Sequence, residues 1–572
     1  MTTEDRMTRS TLLHNGTIRT LAPGGATAPA LLIRDGRVAA LGERRALAAE
    51  LGPDGEEVDL GGRTVLPGLV DTHPHLLHFE SESDGVVDLT DAADHAEIVA
   101  RIAAKARTTP PGEWIVTTPV GEPFYFLRRS WRDLPERVLP DRHVLDRATS
   151  AHPVFIQAWA PTEPNVCAFN SAGLARLGIA DPAPDRVGDV WIDKDHAGGV
   201  TGLLRGAVNE IYSHDPYWQQ LLDRIPHAAP DLLVTTRRAV AQANARGVTT
   251  VYEPHEMTAE HVGVYRRLRD LGQLDVRVTL ALEVDQSRAL DDLGGTLAGL
   301  RDGLAQTRAL RDTADERVRV TGATLSYAGE LSYELYRDVY GRMTKGRARF
   351  HRDVTRAFAD GCLEHDLRAN FLSSDFVHHD HVLGILEAPE LAARVRDRGW
   401  ILQHAPLIGE LHAQRFQALG FDVTTSTGFA WGLGAAYGEK WGRQVWRDLV
   451  PLKRLLLAGL TVAGGSDWGP RSPFEQLWLA ETHEIAGTGG HRNAGADQVV
   501  TRAEALAMWT SAAAEVLRWP EVGTLAVGAW GDAIVLDRDP LTCPLDDLPG
   551  TTVELTLAGG RVVHDSGAVA RG

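Results

Sequence analysis

Apolar runs that end in polar residues recur along the middle of the chain, and helical patterns separate them. Strands that alternate with helices form parallel βα units, and a (β/α)8 barrel closes with eight of them. The runs that predict these eight strands are residues 66–76, 247–253, 276–283, 318–325, 367–372, 400–404, 422–427 and 460–467. The pattern therefore predicts an α/β protein built on a TIM barrel.

Both ends of the chain carry short strand patterns with Asn-Gly or Asp-Gly turns. Residues 11–65 have this character, and it returns at 531–563. Neither end can bury its apolar face alone, so we expect the two to meet in one small β-sandwich. We assign residues 1–65 and 520–572 to this composite sandwich and residues 66–519 to the barrel.

The interval after the first barrel strand is far longer than a βα connection requires. It is predicted to be an insertion of about residues 80–240 that covers the C-terminal mouth of the barrel, where barrel active sites lie. Its aromatic side chains could line an apolar pocket, and ordinary core packing is the expected role of most of them. These aromatic residues are Trp114, Phe124, Tyr125, Phe126, Trp131 and Trp159.

Composition narrows the class of protein. The 572 residues carry a net charge of −18 with no basic stripe, so we expect no nucleic-acid partner. Cys167, Cys362 and Cys543 are far apart, which fits a reducing compartment rather than a disulfide framework. No apolar run reaches the ~18 residues that a membrane helix needs. We expect a cytoplasmic protein, without a membrane span, that acts on a small molecule.

His73 and His75 close the first predicted strand. Residues i and i+2 of a strand point to the same face, so the two imidazoles project side by side. Two imidazoles held in this way form half of a metal site. A chance pair is the alternative, and the polar residues at the other strand ends argue against it.

Imidazoles and carboxylates follow the other predicted strands, and a rim of such ligands suits a divalent transition metal. These residues are Glu253 and His255, Glu283, Glu330, Asp375 with His378, His379 and His381, then His404, and finally Asp467. His404 and Asp467 follow buried apolar runs and are the stronger candidates. Glu253 and His255 fit a metal site or a solvated role equally, and we expect the histidines at 378–381 to lie in a solvated loop.

Several motifs together resemble the amidohydrolase superfamily. They are His-x-His after a Pro-Gly turn, Gln403-His404-Ala405, Gly465-Ser466-Asp467-Trp468 and the split β-sandwich. Within the superfamily, the chain resembles the family-3 branch that includes N-substituted formamide deformylase. This resemblance runs nearly end to end.

The resemblance implies a (β/α)8 barrel that binds one or two divalent metals. In it, His73, His75, His404 and Asp467 fall on metal-site positions. Asp467 would also be the base that activates water. Members of the family are often dimers, so we expect a homodimer.

The chain departs from the family pattern at strands 4 and 5. Binuclear members bridge their metals with a carbamylated lysine in a segment resembling G-x-K-L-x-x-D-G. Here Thr324 replaces that lysine and Ala328 replaces the aspartate, and no other lysine lies at this strand end. Carbamylation is therefore excluded. The strand 5 segment H-A-x-G-D aligns with residues 371–375, so that histidine is also lost.

Three functions follow, and a non-haem iron monooxygenase is favoured. In that hypothesis, carboxylates and His255 rebuild an iron site that uses O2 to hydroxylate a hydrophobic small molecule or its activated ester. Such a site resembles that of the non-haem diiron monooxygenase of platensimycin and platencin biosynthesis, which has an amidohydrolase barrel.

The second hypothesis is a zinc or manganese hydrolase of an amide, formamide or cyclic C–N bond. In it, Asp467 moves the proton and His404 stabilises the oxyanion. The third is a catalytically silent binding protein. It is disfavoured because converging buried polar groups are costly to keep.

Overall fold

The computed structural model describes residues 10–22, 24–25, 27–52, 55–82, 85–121, 130–159, 165–209, 215–226, 230–286, 289, 292–327, 351–492 and 497–571. Five residues singled out from the sequence, Phe124, Tyr125, Phe126, Ala328 and Glu330, lie outside the described residues.

The strands, in chain order, are β1 (Ser10–Arg19), β2 (Thr27–Arg34), β3 (Arg37–Gly42), β4 (Glu56–Asp59), β5 (Thr64–Pro67), β6 (Leu69–Asp71), β7 (Ile115–Thr117), β8 (Val154–Ile156), β9 (Asn165–Phe169), β10 (Arg186–Val187), β11 (Val190–Lys194), β12 (Val200–Gly206), β13 (Val248–Glu253), β14 (Arg277–Glu283), β15 (Val318–Ser326), β16 (Arg368–Ser373), β17 (Ile401–His404), β18 (Asp422–Thr425), β19 (Val462–Gly464), β20 (Ala533–Leu536), β21 (Val553–Ala558), β22 (Arg561–Asp565) and β23 (Ala570–Arg571).

The helices are α1 (Arg44–Ala48), α2 (Leu76–Glu82), α3 (His95–Ala106), α4 (Arg142–Leu145), α5 (Ser171–Leu177), α6 (Pro216–Leu222), α7 (Leu232–Ala245), α8 (Ala259–Asp270), α9 (Leu293–Arg311), α10 (Arg352–Glu364), α11 (Phe376–Leu386), α12 (Pro389–Val395), α13 (Glu410–Ala418), α14 (Gly428–Trp441), α15 (Leu452–Leu457), α16 (Pro473–Thr482), α17 (Arg502–Met508) and α18 (Ser511–Val516). Among the described residues, none of these helices has both the length and the apolar character to cross a membrane.

A parallel sheet of eight strands forms the centre of the described chain, in the order β19-β18-β17-β16-β15-β14-β13-β6. These strands are buried on both faces, as expected when helices cover a parallel sheet. Thr72 N donates to Gly464 O at 3.1 Å and Asp467 N donates to His73 O at 2.7 Å, so hydrogen bonds also join the two outer strands. The predicted TIM barrel is confirmed, and its observed strands overlap all eight predicted runs.

The two ends of the chain share a second sheet, in the order β22-β21-β20-β5-β1-β2-β3, with β4 and β23 paired at its side. Strand β20 runs antiparallel to β5, with Ala533 opposite Pro67. Gly68 then leads β5 directly into β6. A side chain at Gly68 would lie 2.1 Å from Thr249 Oγ1, so the close approach to β13 requires glycine. A sheet built from both ends of the chain agrees with the fold prediction. The domain boundaries at residues 65 and 520 stay predictions.

The segment between α2 and α7 contains its own sheet, β10-β11-β12-β9-β8-β7, which the sequence pattern did not predict. Phe155 and Phe169 stack in its core with ring centroids 4.6 Å apart. Trp114 packs against this core, and Trp131 packs against a neighbouring cluster of the same insertion. Trp159 belongs to the main barrel core. The described aromatic residues of the insertion therefore have packing roles.

A buried ion pair joins the barrel to the terminal sheet. Arg277, at the start of β14, donates to Asp532 through Nε at 2.9 Å and Nη2 at 3.3 Å. Its guanidinium also lies 3.5 Å from the ring centre of Trp530. Asp532 Oδ1 accepts a further hydrogen bond from Gly559 N at 2.6 Å. The carboxylate thus neutralises a buried cation and anchors the loop before β20.

Replacing Asp532 with alanine should destabilise the protein, because it leaves Arg277 buried without its counter-ion. Loss of one partner of a buried pair costs about 3–5 kcal/mol. Urea denaturation should show this decrease in the apparent free energy of unfolding. The matched control is Asp360→Ala, whose partners Arg356 and Arg394 are partly exposed and whose loss should change little. Equal unfolding midpoints for Asp532→Ala and wild type would contradict the assignment.

Candidate metal centre

Four of the predicted site residues meet at the C-terminal end of the barrel. The Nε2 atoms of His73 and His75 lie 2.9 Å apart just after β6. Asp467 Oδ1 is 3.3 Å from His75 Nε2, and Asp467 Oδ2 is 3.4 Å from His404 Nε2. One ligand atom from each of His73, His75 and Asp467 lies within 4.8 Å of the others. All four side chains are buried.

The backbone is left-handed at three of these residues. The φ angle is 50° at His75, 70° at His404 and 51° at Asp467. Such conformations cost of order 1–3 kcal/mol at non-glycine residues and persist where the surroundings impose them. Each turns the chain sharply at the end of a barrel strand. The strained turns aim these side chains at one another.

Burial and mutual repulsion hold the pKa values of His73 and His75 well below their ordinary range. Burial also lowers the pKa of His404 to about 4 and raises that of Asp467. The imidazoles are therefore neutral at pH 7, which is the form that binds metals. In the described structure, His404 Nε2 and Asp467 Oδ2 are buried and make no hydrogen bond. Buried polar atoms without partners cost about 1–3 kcal/mol each, so these two atoms call for a water or a substrate group, while the neutral imidazoles and the carboxylate together fit a divalent ion.

The Asp71 carboxylate hydrogen-bonds to the chain at two residues next to or within the candidate metal centre. Its Oδ1 accepts hydrogen bonds from His73 N at 3.1 Å and Ser466 N at 2.9 Å, and its Oδ2 accepts one from Ser466 Oγ at 2.6 Å. The side-chain amide of Gln403 contacts His73 Nδ1. An amide placed with its oxygen toward Nδ1 would accept the Nδ1 proton and leave His73 Nε2 free to bind a metal. Sequence reasoning missed these roles, although both residues flank its motifs.

Glu253, predicted as a metal ligand at the end of β13, has other partners. Its Oε1 accepts hydrogen bonds from Leu76 N at 2.9 Å and Tyr265 Oη at 2.8 Å. Burial raises the pKa of Glu253 to about 7. These contacts fix the start of α2, directly after the His-x-His pair. The geometry favours a positioning role for Glu253.

His255 lies beside the centre and pairs with Glu283. Its ring centroid is 5.9 Å from that of His73, 5.7 Å from that of His75 and 6.3 Å from that of His404. His255 Nδ1 is 2.7 Å from Glu283 Oε2. Burial lowers the pKa of His255, but Glu283 more than offsets this and raises it to about 9. His255 therefore joins the cluster, oriented by a carboxylate.

At the ends of strands 4 and 5, Thr324 and Asp375 hydrogen-bond to other protein groups. Thr324 Oγ1 donates to Pro254 O and accepts from Asn370 Nδ2 at 2.9 Å, so a hydroxyl occupies the place of the family lysine. Asp375 is the N-cap of α11, accepting from the N–H groups of Val377 and His378.

The expectation of a solvated loop at 378–381 is wrong, because these residues lie in α11. His378 and His379 are buried. His379 bonds to Ser373 Oγ at 2.8 Å and Leu407 O at 3.1 Å, and His381 Nε2 lies 3.0 Å from Thr355 Oγ1. His379 thus joins α11 to the end of β16, and His381 joins α11 to α10.

Comparison with known proteins agrees with this geometry. The model of the amidohydrolase family matches residues 56–564, and the chain belongs to that family. It is 27% identical to N-substituted formamide deformylase of Arthrobacter pascens, over 96% of this chain and 98% of that protein.

Solved structures show the same fold. An uncharacterized metal-dependent hydrolase from Pyrococcus horikoshii OT3 has a TM-score of 0.66 at 20% identity, covering 94% of this chain and 99% of that one. Atrazine chlorohydrolase TrzN from Arthrobacter aurescens TC1, complexed with zinc, has a TM-score of 0.52 at 17% identity, covering 97% of this chain and 95% of that one.

These findings correct the favoured function. They support the hydrolase alternative and give no support to an iron-dependent monooxygenase, to O2 as co-substrate or to a natural-product substrate. The carboxylates expected to rebuild an iron site, Glu253 and Glu283, hydrogen-bond to Tyr265 and His255.

Gly465→Ala tests whether the closure between β19 and β6 sets the site geometry. A Cβ at Gly465 would lie 2.8 Å from both Cβ and N of His73, so His73 must move. We expect at least about tenfold weaker metal binding, in the range seen when the supports of a ligand are disturbed. Competitive titration with a chelator measures it. Gly263→Ala in α8, where the added methyl meets open space, is the control. Unchanged affinity in Gly465→Ala would contradict this account.

Proposed function

We propose that this chain is a divalent-metal-dependent hydrolase that cleaves the C–N bond of an amide or N-substituted formamide. The observation that carries the proposal is the buried group of His73, His75 and Asp467, in which Asp467 Oδ2 lies 3.4 Å from His404 Nε2. His73, His75 and Asp467 would hold the ion. When bound, a divalent ion polarises the carbonyl and makes water a stronger nucleophile.

Asp467 is proposed as the proton carrier. Its Oδ1 lies 3.3 Å from His75 Nε2, while its Oδ2 lies 3.4 Å from His404 Nε2. Oδ2 takes a proton from the attacking water and delivers it to the nitrogen as the C–N bond breaks. Oxygen is added to the carbonyl carbon and nitrogen leaves with the proton. The products are a carboxylic acid, formic acid for a formamide, and an amine.

His404 is proposed to stabilise the negative charge that develops on the carbonyl oxygen. It was predicted both as ligand and as catalytic residue. His404 Nε2 lies 3.4 Å from Asp467 Oδ2, the proposed proton carrier, which favours the catalytic role. Since burial keeps the ring neutral, the tautomer with hydrogen on Nε2 can donate to an oxyanion.

Two aromatic rings pack against imidazoles of the site. Trp468 stacks on His75 with ring centroids 4.3 Å apart, and Phe429 meets His404 edge-on at 5.0 Å. These rings hold both imidazoles in place and give the site apolar walls. An apolar wall excludes water and suits a substrate with a hydrocarbon substituent.

Asp467→Asn should lower kcat/KM for a responsive N-substituted formamide by at least about 10²–10⁴-fold, because it removes the general base, whose usual contribution is of this size, and also a ligand of the ion. Formate and amine release from a panel of N-substituted formamides and amides, after loading with Zn²⁺ or Mn²⁺, measures it. His381→Ala in α11 is the control and should keep wild-type rates. Equal turnover by Asp467→Asn and wild type, or oxygen consumption without hydrolysis, would contradict the proposal.

Activity and metal content should not depend on bicarbonate. A carbamylated lysine needs carbon dioxide, whereas Thr324 is a hydroxyl already satisfied by Pro254 O and Asn370. Metal-free protein reloaded with and without bicarbonate should therefore recover equally. A requirement for bicarbonate would show that a lysine serves the site after all.

A further inference from the structure

A second group of ligand atoms lies beside the first, on the side where β13 ends. One ligand atom from each of His75, His78 and Glu256 lies within 4.8 Å of the others. His75 Nδ1 and His78 Nδ1 are 3.5 Å apart, and His78 Nε2 is 4.0 Å from Glu256 Oε2. We propose that these three residues form a second site for a divalent transition metal, which shares the imidazole of His75 with the first. This inference rests on the proposed function, because His75 belongs to both sites.

His75 and His78 meet at the start of α2. His75 lies directly before the helix with a left-handed backbone, His78 lies in its first turn, and their Nδ1 atoms are 3.5 Å apart. Glu253 fixes that turn by accepting a hydrogen bond from Leu76 N at 2.9 Å. The two imidazoles are therefore held together by local geometry that does not depend on the long loops.

Glu256 is aimed at the pair by a strained backbone. Its φ is 56°, and its N–H donates to Glu283 Oε2 at 2.6 Å. The same carboxylate oxygen binds His255 Nδ1 at 2.7 Å, and His255 Nε2 lies 3.9 Å from Glu256 Oε1. Glu283 thus fixes two successive residues after β13. Backbone strain that the surroundings maintain is typical of functional sites.

The two edges of the His75 ring face different groups. Nε2 lies 2.9 Å from His73 Nε2 and 3.3 Å from Asp467 Oδ1, whereas Nδ1 faces His78. The stacked ring of Trp468 holds the imidazole in this plane. When both sites are filled, each nitrogen of His75 donates a lone pair to one ion. The single N–H proton of the neutral ring is then released to solvent.

The group of His75, His78 and Glu256 is more accessible to solvent than the group of His73, His75 and Asp467. The side chains of His78 and Glu256 are 15% and 41% exposed, against 1% and 2% for His75 and Asp467. An ion can therefore reach the second site from solvent and complete its coordination with water. Two imidazoles and a carboxylate with open positions suit Zn²⁺ and related ions. This second ion lies toward β13, away from the strand 4 and strand 5 positions that Thr324 and residues 371–375 occupy.

The test is the metal stoichiometry and affinity of the full-length protein. Metal-free protein is titrated with Zn²⁺ alone, and bound zinc is counted by elemental mass spectrometry after free metal is removed. Wild type should bind two equivalents. His78→Ala and Glu256→Gln should each bind one, with second-site affinity reduced at least about 100-fold, since losing even the supports of a ligand costs about 10–100-fold. Glu260→Gln, an exposed carboxylate of α8, is the matched control and should keep two.

The outcomes separate this inference from the proposed function. If wild type binds one equivalent, and Asp467→Asn removes it, the second site is wrong and the first stands. His75 and His78 then form only a hydrogen bond. If both His78→Ala and Glu256→Gln keep two equivalents, the second ion binds elsewhere and the inference fails. If wild type binds no zinc, both proposals fail. Proton release measured in weak buffer should show the extra proton on the second equivalent, and its absence would overturn the shared imidazole. Glu256→Gln preserves side-chain size, so a folded one-site variant is available even if His78→Ala is unstable.

Discussion

The closure of the barrel between its first and last strands is the constraint on which the site depends. Asp71 holds it, because one carboxylate binds both the backbone after β6 and Ser466 after β19. The hydrogen bond from Asp467 N to His73 O continues the junction for one more step. These contacts place a histidine pair from one end of the barrel sequence against an aspartate from the other. Gly465 leaves the room that this approach requires.

The same closure determines the electrostatics. Neutral imidazoles, a buried carboxylate and left-handed backbone at His75, His404 and Asp467 all oppose stability when taken separately. A divalent ion held by His73, His75 and Asp467 would offset part of these costs by accepting their lone pairs. The carboxylates around this core act on protein groups. Glu253 fixes α2 and Glu283 fixes His255, so each orients residues that face the metal-binding cluster.

Much of this arrangement could be predicted from sequence. Barrel strands are continuous apolar runs, so their positions and the residues at their ends follow from the pattern, and His73, His75, His404 and Asp467 do meet. The hydrogen-bond partners of the strand-end residues could not be predicted, because the Glu253–Tyr265 and His255–Glu283 contacts depend on how strands and helices pack. Counting carboxylates at strand ends therefore suggested an iron site. The helix at 376–386 was not predicted, because its histidines interrupt the helical spacing of apolar residues. Asp375 before it is nevertheless a helix-capping signal.

Anomalous X-ray diffraction from crystals of the zinc-loaded protein is the measurement that tests the central claim most directly. A zinc peak is expected about 2.0–2.2 Å from a ring nitrogen of His73, a ring nitrogen of His75 and a carboxylate oxygen of Asp467. Zinc bound only at other residues, or no zinc at the end of the barrel, would contradict it.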